Sequence, residues 1–188
     1  MSKVENNILE EEQAFILQLL NPKTQNVAFQ ELLQKYQRPL YNHIRNIVLN
    51  HDDTDDVLQN TFVKVYQNLN KFKGESKLFS WMYRIATNEA LTFLKSKSKT
   101  QGISTDVLQN KLVHNLEADA HFDGDAIQLK LQKAIAQLPE KQQLVFKMRY
   151  FESLKYDDIS DILGTSVGAL KASYHHAAKK IEDFMLHH

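Results

Sequence analysis

The chain has 188 residues, 43% of them hydrophobic, with 23 Lys+Arg balanced by 23 Asp+Glu. That length suits one ordinary domain or two small ones with modest cores. The absence of cysteine excludes disulfides and thiolate metal sites and makes the reducing cytoplasm the natural setting; no signal-peptide stretch or run of about 20 apolar residues points elsewhere.

Gly and Pro are scarce, and apolar residues recur at three and four rather than alternating, so the chain is predicted all-α. The first helices span about Leu9 to Leu20, Val27 to Leu49 with a break or kink at Pro39, Asp53 to Leu69, and Ser76 to Lys97. They form one bundle, residues 1–97.

The third of these begins HDDTDDVLQNTFVKVY. Asp53 can cap it, Asp55 and Asp56 complement the helix dipole, and Leu58, Phe62, Val65 and Tyr66 supply an inner stripe. Capping alone would account for one or two of the four aspartates; an electrostatic docking surface is the alternative reading of the set.

The sign of the charge then flips. Lys64, Lys71, Lys73, Lys77, Arg84, Lys95 and Lys97 face only Glu75 and Glu89, a usable phosphate footprint. Turned at about 100° per residue, the helix from Ser76 collects Leu78, Met82, Ile85, Ala86, Ala90 and Phe93 on one face. Lys77, Trp81, Arg84, Asn88 and Lys95 fall on the other. The chain's single tryptophan thus sits among cations and an amide, as in a stacking platform for an unpaired base. Cover for a bundle edge or a protein-contact anchor is the alternative.

Residues 98–124 read as a linker, in which Leu108, Leu112 and Leu116 fall four apart; a short amphipathic helix there needs a partner surface to persist. A second domain, 125–188, carries helices at about Asp125 to Gln137, Pro139 to Phe151, Lys155 to Leu163 and Ser166 to Met185, with Pro139 at a first helical position. Its last two helices have the order of a helix-turn-helix. Tyr156, Ile159, Ile162 and Leu163 make an apolar stripe, Gly164 is a left-handed cap and Ser166 caps the next helix. Val167, Leu170, Tyr174, Ala177 and Ile181 continue the buried stripe, leaving Ala169, Lys171, Ala172, Ser173, His176 and Lys180 outward. An ordinary helical hairpin fits the same pattern.

Taken together these segments resemble the extracytoplasmic-function (ECF) sigma factors, from about Ala28 to Phe184. TDDVLQNTFVKVY is similar to the family's polymerase-binding segment, KFKGESKLFSWMYRIATNEAL to its promoter-melting segment, and LPEKQQLVFKMRYFESLKYDDISDILGTSVGALKASYHHAAKKI to its domain four. The resemblance implies two small helical domains joined by a flexible linker, and a factor that directs core RNA polymerase to promoters. It implies that Asp53, Asp56, Gln59 and Phe62 engage the clamp helices of the polymerase β′ subunit, with the β flap as a further contact. Lys73, Lys77, Phe79, Ser80, Trp81, Arg84 and Asn88 would capture flipped bases of the minus-ten element. Ser166, Ala169, Lys171, Ser173, His176, Lys179 and Lys180 would meet the minus-thirty-five element. The acidic linker residues Asp106, Glu117, Asp119 and Asp123 would thread the polymerase channel, and an anti-sigma protein would cover both binding faces.

The sequence departs from that pattern at Asn60, where glutamate is common, at Thr92, where aspartate is common, and at Ser173 and His176, positions often held by arginine, so phosphate grip there should be weaker and partly pH-dependent. The eight histidines show no metal-ligand spacing; His175 and His176 diverge around a helix, and His187 and His188 are a natural tail or a tag remnant. With no phosphate loop or nucleophile elbow, neither metal, cofactor nor enzymatic activity is expected. A helical repressor and a protein-only adaptor are the rival readings.

Overall fold

A computed structural model describes residues 3–116 and 125–187, with side chains from Glu10 onward. Every regular element among them is helical. α1 (Lys3–Leu20), α2 (Gln25–Val48), α3 (His51–Asn68), a 3-10 turn (Leu69–Lys71) and α4 (Leu78–Thr100) make the N-terminal bundle. α5 (Thr105–Asn115) follows, then α6 (Ala126–Ala136), α7 (Glu140–Tyr150), α8 (Tyr156–Leu163) and α9 (Val167–His187). None of these helices is long and apolar enough to cross a membrane.

The bundle closes because α2, α3 and α4 each turn an apolar stripe inward: Leu32, Leu40, Ile44 and Val48 from α2, Val57 and Val65 from α3, Met82, Ala86, Ala90 and Leu94 from α4 are all buried. Each large aliphatic among them is worth about 1.5–3 kcal/mol relative to exposure. α2 is continuous through Pro39, so the expected break is absent; Pro39 itself lies on the exposed side of the helix, where water can take the carbonyl it leaves unbonded.

Three helix starts differ from expectation for local reasons. α3 is capped by Asn50, whose side chain accepts from the Asp53 N–H at 2.9 Å, so Asp53 receives the cap instead of providing it. α4 begins at Leu78 rather than Ser76, and its Leu78 N–H is met at 2.9 Å by the Glu12 carboxylate of α1, a cap from 66 residues away that no local pattern encodes. Pro139, extended at ψ 144°, is the residue before α7 rather than its first; its carbonyl accepts from Gln143 N at 3.0 Å.

The short helix anticipated within 98–124 is α5, and the surface it needs is supplied from both sides. Leu108, Leu112, Val113 and Leu116 are buried, and the buried Gln143 amide of α7 donates to Gln109 Oε1 and to Leu138 O, each at 2.8 Å. Glu117, Asp119 and Asp123 lie outside the described residues.

Beyond α5, Ile135 and Phe146 pack with Ala177 and Ile181 of α9. Leu144, Val145, Met148, Ile159, Ile162 and Leu170 belong instead to the same buried cluster as the N-terminal bundle. The two halves therefore share a core, with α8 lying along α4 and α7 against α2.

Candidate nucleic-acid and polymerase interface

On α3 the sequence places three aspartates in open solvent, Asp52, Asp55 and Asp56, with Gln59 one turn on. Beside them Val63 and Tyr66 are 48% and 43% exposed, an acidic and apolar face suited to a protein partner. Asp53 is not part of that open face: it is ion-paired with Lys97 of α4. Phe62 is a core residue at 9% exposure, so its expected contact with the polymerase is not available from this packing; it shapes the face from beneath.

The basic footprint is partly consumed internally. Lys64 pairs with Glu89 at 2.5 Å and Lys97 with Asp53, whereas Lys71, Lys73 and Lys95 stay exposed. Trp81 is half-buried, tilted on Phe72 with ring centroids 5.2 Å apart, while Phe79 lies over Tyr83 at 4.1 Å. Ser80 corrects the sequence reading: it is fully buried and its hydroxyl has no hydrogen-bond partner, so it cannot meet a base in this arrangement. Ile85 and Phe93, assigned to the core, are only half-buried, and Tyr83 and Thr87 are buried instead. The buried sector of α4 is wider than one stripe because the C-terminal half packs on it too.

The helix-turn-helix is built as its sequence implies. Gly164 takes φ +64° and its N–H reaches Ser160 O, a conformation that costs other residues about 1–2 kcal/mol. Ser166 Oγ accepts from Ala169 N at 3.4 Å. Leu170, Ala177 and Ile181 are buried, Val167 and Tyr174 partly so, and Ser166, Ala169, Lys171, His176, Lys179 and Lys180 are exposed. Ser173 is half-buried, in a groove of about 480 Å³ between α4 and the helix-turn-helix that Asn88, Leu91, Lys141 and Thr165 also line. Asn88 and Ser173, expected in separate DNA sites, thus face one groove.

Beside that groove α8 engages two of the minus-ten candidates. Lys77 Nζ reaches Asp158 Oδ1 at 2.7 Å, a hydrogen bond that holds the ammonium above its ordinary range. The Arg84 guanidinium donates to the Asp161 carbonyl, through Nε at 3.1 Å. Deeper in, His43 of α2 is 1% exposed. Its Nδ1 stands 3.0 Å from both Glu152 oxygens and its Nε2 2.9 Å from Thr87 Oγ1. Lys147 of α7 is buried nearby, its ammonium pushed down to about 8 by desolvation against the opposing pull of Glu152; burial and then Glu152 push the Tyr83 phenol up. His43, Thr87 and Glu152 were not among the sequence candidates. They are 44 and 109 residues apart, in segments whose patterns give each only an interior or turn position.

A helix-turn-helix packed beside a basic helix with a half-buried tryptophan and an acidic helix defines a DNA-binding protein with a protein-docking face. Residues 32–100 match the model of sigma-70 region 2 and residues 128–181 that of sigma-70 region 4. The chain is 28% identical over 166 residues to an ECF RNA polymerase sigma-E factor of Haemophilus influenzae, covering 83% of this chain and 86% of that protein. It is 27% identical over 156 residues to the ECF RNA polymerase sigma factor SigW of Bacillus subtilis, covering 79% and 83%. Among solved structures, CnrH in complex with the cytosolic domain of CnrY superposes with a TM-score of 0.67 at 18% identity, over 93% of this chain and 96% of that one. The sigma factor RpoE with the anti-sigma factor NepR from Bartonella quintana gives 0.63 at 18%, over 85% and 97%. The chain belongs to the ECF sigma factors, which direct RNA polymerase to promoters to initiate transcription.

Proposed function

We propose that the chain, working in the cytoplasm and catalysing no reaction of its own, divides promoter recognition between its two ends, residues 1–97 with the minus-ten element and 125–188 with the minus-thirty-five element. The observation that carries this reading is the start of α4, where Lys77 just before the helix and Trp81, Arg84 and Asn88 within it follow at spacings of four, three and four, on one side, within the region 2 match. Stacking on Trp81 offers about 1–3 kcal/mol per base, enough to hold one or two flipped bases. Melting a dozen steps at about 1.4 kcal/mol each costs on the order of 17 kcal/mol, so the strand opening belongs to the complex with polymerase, which the acidic α3 face of Asp52, Asp55, Asp56 and Gln59 joins at the β′ clamp helices, and the C-terminal half at the β flap. Ser166, Ala169, Lys171, His176, Lys179 and Lys180 make the second DNA face; Ser173 joins it once the groove opens.

The arrangement described above is the resting one. Elements some 25 base pairs apart lie about 85 Å apart at 3.4 Å per pair, and α8 cannot lie along α4 while both halves reach their elements. An anti-sigma protein fits this resting form, since the two solved neighbours were each captured with a bound protein.

Reconstitution with core RNA polymerase on a promoter library tests the reading. Initiation at a defined set of promoters is expected; the absence of specific transcripts with several core enzymes refutes it.

A further inference from the structure

The first turn of α4 carries Trp81, and by its own residues it is poorly secured. The residue before the helix is Lys77, whose side chain forms no capping hydrogen bond; serine, threonine or an acid is the usual choice at such a position. A cation there also opposes the positive end of the helix dipole. Within the turn the Ser80 hydroxyl is buried without a partner, which carries a desolvation cost. The segment leading in is exposed from Lys73 to Glu75 and bends through Gly74 at φ +72°.

The missing cap comes from α1. Glu12 Oε1 accepts from the Leu78 N–H at 2.9 Å, next to a first helical bond from the Trp81 N–H to Lys77 O at 3.1 Å. The Lys77 ammonium is held above its ordinary range by the hydrogen bond to Asp158 foremost and, more weakly, by the nearby Glu12 charge. α1 does not depend on this contact to stay docked. Leu19 is buried, Phe15 and Ile16 pack on the bundle core, and Thr24 Oγ1 and Gln25 Nε2 donate to the Gln18 and Leu19 carbonyls at 2.8 and 3.0 Å. A helix anchored elsewhere thus brings its carboxylate to the turn that lacks one.

We propose that Glu12 is a positioning residue for promoter opening: as a cap supplied to α4 by α1, it fixes the first turn of that helix so that Trp81 and Lys77 stand in place for the displaced strand. Because the cap is supplied from α1, position 77 is left to a lysine, whose ammonium can exchange Asp158 for a phosphate without loosening the start of the helix. The role in opening rests on the minus-ten reading of α4 given above, whereas the ordering of the turn is a property of the free chain.

Trp81 is the only tryptophan, so its emission reports on the turn directly. In the free full-length chain Glu12→Ala is expected to lower the anisotropy of that emission. It should also speed exchange of the Trp81 amide by about 2- to 30-fold, the span that loss of a helix cap covers, while amides of α9 keep their rates. With core polymerase, on a promoter carrying a fluorescent adenine analogue in the minus-ten element, strand opening is expected to fall within the same range while affinity for the polymerase is unchanged. Glu12→Gln keeps an acceptor oxygen, so it should recover part of both losses, and it makes the same test should Glu12→Ala fail to fold. The loss from Glu12→Ala is expected to shrink in a Trp81→Ala background, because the two act through one contact. Wild-type anisotropy and exchange in Glu12→Ala, an equal loss of polymerase affinity, or losses that add fully to those of Trp81→Ala overturn the proposal. Should Trp81→Ala impair opening and Glu12→Ala not, the proposal alone fails; should Trp81→Ala open normally, the minus-ten reading fails and takes the opening role of Glu12 with it.

Discussion

Replacing Trp81 by Ala separates base capture from packing. The indole is half-buried on Phe72, so its loss carries a folding cost as well as a functional one. Complete burial would put the folding cost of Trp→Ala at about 3–5 kcal/mol; half-burial brings it to roughly 2 kcal/mol, visible as a lower melting temperature but compatible with a folded chain at 25 °C. The functional loss is the stacking energy of one base, about 1–3 kcal/mol, or about 5- to 150-fold in the equilibrium for strand opening. The assay is a promoter with a fluorescent adenine analogue in the minus-ten element, read alongside the affinity of the chain for core polymerase. Strand opening should fall by that factor while polymerase affinity stays within about twofold, and Trp81→Phe should recover much of the loss because a phenyl ring still stacks. Equal loss in both readouts, or no rescue by Phe, would show that Trp81 serves only to pack.

Other predictions follow from single features. Gly164→Ala meets no atom within 4 Å of the added methyl, so its cost is conformational, about 1–2 kcal/mol from φ +64°, read by urea unfolding; an unchanged midpoint would contradict the assigned cap. Lys147 is buried and pushed down to about 8, so below that pH its charge opposes folding. The unfolded chain keeps this proton to about 10.4, and stability should therefore rise with pH from 8 to 10.4. Lys147→Met should remove that rise and add on the order of 2–3 kcal/mol at pH 7; a variant less stable than the parent at pH 7 would refute the account. Lys179→Ala with Lys180→Ala should reduce the slope of log affinity for promoter DNA against log salt by about 2, and an unaltered slope would remove both lysines from the phosphate contacts.

Much of the architecture was legible because it is periodic. The apolar stripes of α2 to α4 and of α8 and α9 follow three-and-four spacing, and Gly164 and Ser166 mark the turn between the last two by their backbone chemistry alone. What escaped depends on long-range contact. Nothing near Leu78 shows that Glu12 caps it, and nothing near Asp53 shows that Lys97 neutralises it. Ser80 and Thr87 are polar and lie off the predicted stripe, yet both are buried because α4 is covered on a second side. A helical wheel assumes one buried face, and it passes over such residues where a helix has two. His43 and Glu152 became significant only when 109 intervening residues were folded out of the way.

The helix α5 gives the chain adjustable reach. Its 11 residues, wound up, span roughly 16 Å, whereas the same residues pulled straight cover roughly 36 Å. Releasing the Gln109–Gln143 clasp would pay out some 20 Å of slack between the two ends of the molecule. If it uncoils when stretched along a large enzyme, such a segment would let one short polypeptide be both a closed package and a long bridge.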